Sequence, residues 1–212
     1  HITYPCTSTP SGERIGKILN EIATFSTEKA WDIRGLKSHL RPYQHIGAQW
    51  LWFLYVYGLS GLLCDDMGLG KTHQAMALLS AAYNDVGAAN KKFLIVCPTS
   101  VIYHWEELLS QFLPHLRTLF YYGTQRSLSK FEANVDILLT SYGTFRSDSE
   151  DINKIHFSIA IIDEMQIAKN PQSQIHKSLK GLRVNTCVGL SGTPVENRLE
   201  ELKALFDIII PG

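Results

Sequence analysis

Long apolar runs, net charge and paired cysteines are all missing from this sequence of 212 residues. The longest apolar stretch, Trp50 to Cys64, is broken by Gly58, Ser60 and Gly61 and stops at Asp65-Asp66. It falls short of the roughly 20 residues that a membrane helix needs. Twenty basic residues balance twenty acidic ones, so whole-chain electrostatics favours neither nucleic acid nor a membrane surface. Any basic site must be a local patch. The four cysteines (Cys6, Cys64, Cys97, Cys187) form no C-x-x-C pair and have no metal-like spacing against the eight histidines. That pattern excludes a disulfide framework and points to a reduced, intracellular protein. The last three sit in apolar runs and read as small buried hydrophobes. No H-E-x-x-H or comparable spacing occurs, and there is no internal repeat or low-complexity tract.

What is present suits a packed domain. Hydrophobic residues make up 45% and charged residues 19%, which excludes a disordered chain. The length fits about one to one and a half domains. The chain opens on His1, not Met, without a signal peptide, and is expected to be excised from a longer protein. Residues 1–35 read as a Thr/Ser/Pro/Gly-rich linker followed by a short lead-in helix carrying Ile15, Ile18, Leu19 and Ile22. The folded domain is expected over 36–212.

Pro42 suits a helix start, and Ile46, Trp50, Phe53, Leu54 and Tyr57 form an apolar stripe widened by Leu51 and Trp52. Its aromatics read as core rather than as a base-stacking platform. Short apolar runs of strand type follow: Leu62 to Cys64, Phe93 to Cys97, Leu119 to Tyr122, Val135 to Leu139, Ile159 to Ile162 and Thr186 to Leu190. Helical stripes lie between them, on Ala75, Leu78, Leu79 and Ala82, on Val101, Trp105, Leu108, Leu109 and Phe112, and on Ile175, Leu179 and Leu182. For the last, Asn170 is the expected N-cap and Pro171 the first helical residue. Runs apolar throughout, alternating with helices, predict a mainly parallel α/β sheet covered on both faces.

Five of the strands end in small polar clusters: Asp65 to Thr72, Pro98-Thr99-Ser100, Thr140-Ser141-Tyr142, Asp163-Glu164 and Ser191-Gly192-Thr193. In a parallel sheet all carboxyl ends share one rim, where such folds bind ligands. Gly68, Gly70, Lys71 and Thr72 lie between a strand and a helix. There, backbone N–H groups can wrap a phosphate, Lys71 can reach the β- and γ-phosphates, and Thr72 can bind Mg²⁺. Asp65 stands where a strict phosphate loop has its first glycine. Asp163 is placed to hold the Mg²⁺ shell and Glu164 to polarise an attacking water. Thr99 and Ser100 read equally well as a helix cap.

In order, Leu40-Arg41-Pro42-Tyr43-Gln44, Asp65 to Thr72, Cys97 to Ser100, Thr140 to Tyr142, Asp163-Glu164-Met165-Gln166, Lys169-Asn170-Pro171 and Leu190-Ser191-Gly192-Thr193-Pro194 carry a resemblance. The chain resembles, over about residues 36–212, the N-terminal motor lobe of the Swi/Snf family, the double-stranded-DNA translocase ATPases of helicase superfamily 2. The resemblance implies a three-layer RecA-like P-loop fold with ATP and Mg²⁺ as cofactors. It implies that Gln44 reads the adenine edge while Asp66, Met67, Gly68, Leu69, Gly70, Lys71 and Thr72 bind the phosphates. In the family an acid takes the first glycine's place, so Asp65 fits, and Asp66 stands where Glu is frequent. Met165 replaces the usual Ala and is expected to crowd the site slightly. Lys71 and Glu164 would be catalytic, with Thr72 and Asp163 on Mg²⁺. Gln166, Ser191, Gly192 and Thr193 would couple nucleotide state to DNA grip. Pro98, Thr99, Ser100, Thr140, Ser141, Tyr142, Lys169 and Asn170 would touch one DNA strand's backbone, without reading sequence.

Family members bind ATP between two RecA-like lobes, the second supplying arginines. The expectation is therefore a lobe that binds nucleotide, turns it over slowly alone, and grips DNA weakly; its partners are double-stranded DNA and the second lobe, with no membrane. Two other readings compete. One is a nucleotide-dependent binding module without turnover, against which Lys71, Thr72, Asp163 and Glu164 all stand intact. The other is a small P-loop kinase, which would leave Thr140 to Tyr142 and Ser191 to Pro194 unexplained.

Overall fold

The computed structural model describes residues 31–66, 68–129, 131, 135–193 and 199–209. The lead-in helix expected near Ile15 to Ile22 lies outside these residues, as do Met67 and Pro194. Trp31, Ile33 and Leu36 already pack on the core, just ahead of and across the expected boundary at residue 36.

Helix α1 (Pro42–Val56) begins with proline at its first position, and the Gln44 side chain accepts from the Arg41 N–H at 2.8 Å. Such a contact satisfies one of the backbone groups that a helix start leaves free. Strand β1 (Gly61–Leu63) leads through the glycine loop into α2 (Lys71–Asn84). Then follow β2 (Phe93–Cys97), a 3-10 turn (Thr99–Val101), α3 (Ile102–Phe112), β3 (Thr118–Tyr121) and β4 (Ile137–Ser141). Two short helices, α4 (Tyr142–Ser147) and α5 (Ser149–Ile152), precede β5 (Phe157–Ile162) and a second 3-10 turn (Met165–Ala168). Helix α6 (Gln174–Lys180), β6 (Val184–Leu190) and α7 (Leu199–Ile209) complete the described chain.

The six strands form one sheet in the order β1-β6-β5-β2-β4-β3, and every pairing is parallel. Successive strand residues point to opposite faces, and the core divides accordingly. Ile95, Ile137, Leu139, Ile159 and Ile161 join α1, α2 and α3 on one side. Leu94, Val96, Leu138, Ala160 and Ile162 join α4, α6 and α7 on the other. The sheet is thus the middle of three layers, as its non-alternating apolar runs require. Among the described residues, no helix is long and apolar enough to cross a membrane.

Several expectations shift. Ile46, placed on the buried stripe of α1, is 69% exposed, while Ala48 joins the expected Leu51, Trp52, Phe53 and Leu54 in turning inward. Cys64 is exposed one residue beyond β1, while Cys97 and Cys187 are buried. The third helical stripe starts later than expected, because Ser173 rather than Asn170 caps it, accepting from His176 N–H. Asn170 instead closes a turn, its side chain accepting from Gln172 N–H and its carbonyl from Ser173.

Met165 does not crowd the rim. It is fully buried in the core below the sheet's end, against Gly189 of β6. A Cβ at Gly189 would collide with Met165 Sδ and Leu62 Cδ1, so the missing side chain makes room for the larger one. Met165→Ala is expected to cost about 2–5 kcal/mol by leaving a cavity, and Gly189→Ala to destabilise by overpacking. Together they should cost less than the sum by about 0.5–3 kcal/mol in urea unfolding, as contacting sites do; additive losses would show that the two residues do not share this space.

Burial holds the Cys97 and Cys187 thiols up at about 12, helped at Cys97 by the Asp163 charge. Cys64 is raised as well, first by partial burial and then by the Asp65 carboxylate. A raised thiol is mostly protonated at neutral pH and gains thiolate as pH rises. Iodoacetamide with peptide mapping should therefore label Cys64 in the native protein, faster as pH climbs from 7 to 9. Cys97 and Cys187 should label only after denaturation. Native labelling of either would contradict their burial.

Candidate active site

The rim at the carboxyl ends of the strands brings the glycine loop after β1 and the acid pair after β5 around one cavity of about 350 Å³. Its lining includes Gly68, Gly70, Lys71, Thr72, Asp163 and Glu164, with His73, His104 and Trp105 on the α2 and α3 side. Gly68 and Gly70 have φ of 82° and 76°, a left-handed backbone that glycine adopts without strain. A side chain on Gly70 would also collide with the Gln44 amide. This conformation delivers the chain into α2 at the point where the free N–H groups of a helix start favour an anion.

Lys71 is 9% exposed, and its ammonium donates to the carbonyls of Asp65 at 2.7 Å and Asp66 at 3.1 Å. The loop thus curls around its own lysine. Asp65, at the position of the missing first glycine, anchors the loop base. Its Oδ2 accepts from Gln74 Nε2 at 2.7 Å, on the next turn of α2. Gln44 is buried beneath the loop, donating from Nε2 to Leu69 O at 3.0 Å. Tyr43 OH donates to the same carbonyl at 3.1 Å. Both link α1 to the loop.

Asp163 follows β5 and is held from two sides. Its Oδ2 accepts from the Trp105 indole N–H at 2.8 Å and its Oδ1 from the Glu164 N–H at 3.0 Å. Burial raises its pKa most strongly. The Trp105 bond opposes that, the Glu164 charge adds to it, and the Glu164 N–H and Lys71 ammonium pull it down. Glu164 has φ of 49°, the one left-handed non-glycine among the described residues. Such a backbone costs about 1–3 kcal/mol and persists where surroundings over-determine it. Tyr142 is part of those surroundings: its buried hydroxyl donates to Asp163 O at 2.7 Å and approaches Glu164 O at 3.3 Å. Burial, with the Asp163 charge, holds the phenol well above its usual range, so it stays a donor.

From Glu164 a chain of polar contacts runs along the rim. Gln166 Nε2 donates to Glu164 Oε2, and Ser191 Oγ donates to Gln166 Oε1 at 2.8 Å. The Thr193 N–H donates to Ser191 Oγ at 3.2 Å. Gln166, Ser191 and Thr193, three of the four residues expected to couple, thus form one contiguous network. Gly192 lies between Ser191 and Thr193.

The residues expected to face DNA separate into two groups. Thr99, Ser100 and Asn170 are exposed and Pro98 is half-buried. Thr140, Ser141 and Tyr142 are buried, with their hydroxyls used internally. Thr140 Oγ1 donates to Tyr121 O at 2.9 Å, Ser141 Oγ caps α4, and Tyr142 holds the acid pair. Lys169 pairs with Glu201 of α7 at 3.4 Å. Gln74 and Trp105 are the site residues that motif reading missed. Gln74 carries no signal beyond a polar residue on an apolar helix face, and Trp105 reads only as core.

With this geometry in place, comparison with known proteins is direct. The SNF2-related domain family matches residues 43–212. The TATA-binding protein-associated factor mot1 of Aspergillus fumigatus is 39% identical over 190 residues, which cover 84% of this chain and 10% of that protein. The putative ATP-dependent helicase/translocase YwqA of Bacillus subtilis is 37% identical over 180 residues, covering 83% of this chain and 19% of that one. The chain therefore spans only a tenth to a fifth of the length of these relatives. The Sulfolobus solfataricus SWI2/SNF2 ATPase core in complex with dsDNA superposes with a TM-score of 0.77 at 36% identity, covering 87% of this chain and 38% of that one. A parallel six-stranded sheet between helix layers, the match over 43–212 and these identities together place the chain in the SNF2-related family, with the RecA-like fold of a SWI2/SNF2 ATPase lobe.

Proposed function

We propose that this chain is the ATP-binding lobe of a DNA-dependent ATPase that couples hydrolysis to movement along double-stranded DNA and to remodelling of protein–DNA complexes. The observation that carries the reading is the meeting of Lys71, Thr72, Asp163 and Glu164 on one cavity, with Glu164 wired to Ser191 and Thr193. The relatives' names point the same way: one is a helicase/translocase, and one solved neighbour is an ATPase core with duplex DNA.

In this reading the loop Asp66 to Thr72 receives the phosphates, and Lys71 exchanges its two loop carbonyls for phosphate oxygens. Gln44, buried beneath the loop, would have to release the Arg41 N–H or the Leu69 carbonyl to read the base. The donor set suits Mg²⁺, which takes one or two protein oxygens and completes its shell with phosphate and water. Thr72 and Asp163 would hold it, and a carboxylate engaged by two N–H donors keeps lone pairs for a metal. Held there, the ion would supply positive charge to offset the negative charge that develops on the phosphates. Glu164 orients the attacking water and takes its proton, while the Gln166–Ser191 contact makes the position of Glu164 sensitive to the Thr193 segment.

No arginine is among the described residues lining the cavity. An arginine finger is worth about 10³–10⁵ in rate, so the lobe alone should hydrolyse ATP slowly, the arginine coming from a second lobe. DNA contact falls to the exposed Thr99, Ser100 and Asn170, whose hydroxyls and amide suit phosphate oxygens.

Lys71→Ala should weaken ATP binding about 10- to 100-fold, the loss expected for a charge-assisted contact, with melting nearly unchanged. Equal affinity by calorimetry would remove the phosphate-loop assignment. In a protein containing both lobes, Glu164→Gln should spare ATP binding and lower DNA-stimulated turnover by about 10²–10⁴. Near-normal phosphate release would assign the base elsewhere.

A further inference from the structure

Trp105 is 1% exposed on α3, lines the nucleotide cavity, and bonds to a residue 58 positions away. Packing alone accounts for its rings but not for its indole nitrogen. That nitrogen is a donor only, and a buried one needs an acceptor. The acceptor here is Asp163 Oδ2, at 2.8 Å.

We propose that Trp105 is a positioning residue for the metal-binding carboxylate, fixing the Asp163 side chain through its indole N–H. The Glu164 N–H holds only Oδ1, from the adjacent residue of the same chain; the carboxylate could still pivot about that contact. A second bond from α3, an element separate from β5, fixes the carboxylate plane and leaves the other lone pairs of both oxygens on the cavity side for Mg²⁺. Partners that orient metal ligands typically change metal affinity or activity about 10- to 100-fold when removed. The inference rests on Asp163 being a metal ligand, and the two claims fail in different ways.

Trp105→Phe keeps an aromatic ring in the core and removes the donor. Trp52→Phe, at a tryptophan similarly buried in α1 and not among the residues that line the cavity, controls for lost packing. Anisotropy of a fluorescent ATP analogue should be titrated with each protein in Mg²⁺ and in EDTA. Trp105→Phe is expected to bind like the parent in EDTA but to lose about tenfold or more of the gain that Mg²⁺ confers; Trp52→Phe should retain that gain. A Trp105→Phe protein with an undiminished Mg²⁺ gain, or with equal losses in Mg²⁺ and EDTA, would overturn the positioning role. No Mg²⁺ gain in the parent would instead overturn Asp163 as a metal ligand, and the Trp105 role with it.

A spectroscopic readout tests the bond without nucleotide. The chain has four tryptophans, and Trp105→Phe identifies which indole N–H resonance is Trp105 in ¹H–¹⁵N spectra. Asp163→Ala should move that resonance upfield while the other three stay in place. An unmoved Trp105 resonance would show that the carboxylate is not its acceptor.

Discussion

The uniform direction of six strands is what the rest of this domain depends on. Because β1, β2, β4, β5 and β6 all run the same way, their carboxyl ends reach one rim, however far apart they lie in sequence. Register makes the meeting close: Leu63 pairs with Leu190 and Ile162 with Gly189. The glycine loop after β1 and the acid pair after β5 are therefore separated only by β6, which brings Ser191 up between them. Parallel pairing needs both faces covered, so the same constraint dictates the two helix layers and the full burial of the central strands β2, β4 and β5.

A rim built in this way has a polar problem. Side chains at the ends of buried strands are half out of water, and each needs a partner. Here the partners are one another. Trp105 and the Glu164 N–H hold Asp163, Tyr142 holds the carbonyls of the acid pair, and Gln166 ties Glu164 to Ser191. The left-handed backbone at Glu164 sits inside this net. The contacts that satisfy buried polar groups are thus the same ones that fix the two carboxylates at the cavity, so folding and positioning are served by a single set of bonds.

Much of this was legible in the sequence, for a physical reason. Strands buried on both faces leave unbroken apolar runs, and all six were readable from theirs, β2 to the residue and the others with ends shifted by one or two. The meeting of the glycine loop and the acid pair on one rim was readable because parallel strands bring all their carboxyl ends to the same edge. What could not be read depends on pairing across the fold. Thr140 looks like any polar strand end until β3 lies beside β4 and offers the Tyr121 carbonyl to its hydroxyl. Trp105 looks like core until β5 brings Asp163 beneath it. Met165 looked like an obstruction until β6 presented Gly189. The helix start at Asn170-Pro171 failed for a local reason: two capping residues, Asn170 and Ser173, compete, and the turn takes the first.

The burial of Thr140, Ser141 and Tyr142 also changes how a nucleic acid would be felt here. Of the expected rim contacts, the exposed ones are neutral hydroxyls and an amide, and Lys169 is already paired with Glu201. Neutral donors position a phosphate backbone but release few counterions, whereas affinity and its salt dependence come mainly from lysine and arginine. A lobe with zero formal charge and such contacts is suited to register and orientation rather than to tight holding. Tyr142 then has a different part in the proposed motor. It follows β4 directly, and its hydroxyl grips the carbonyls of both Asp163 and Glu164. A displacement of α4 would reach Asp163 and Glu164 through one hydrogen-bonded side chain, without any direct contact between DNA and the nucleotide pocket.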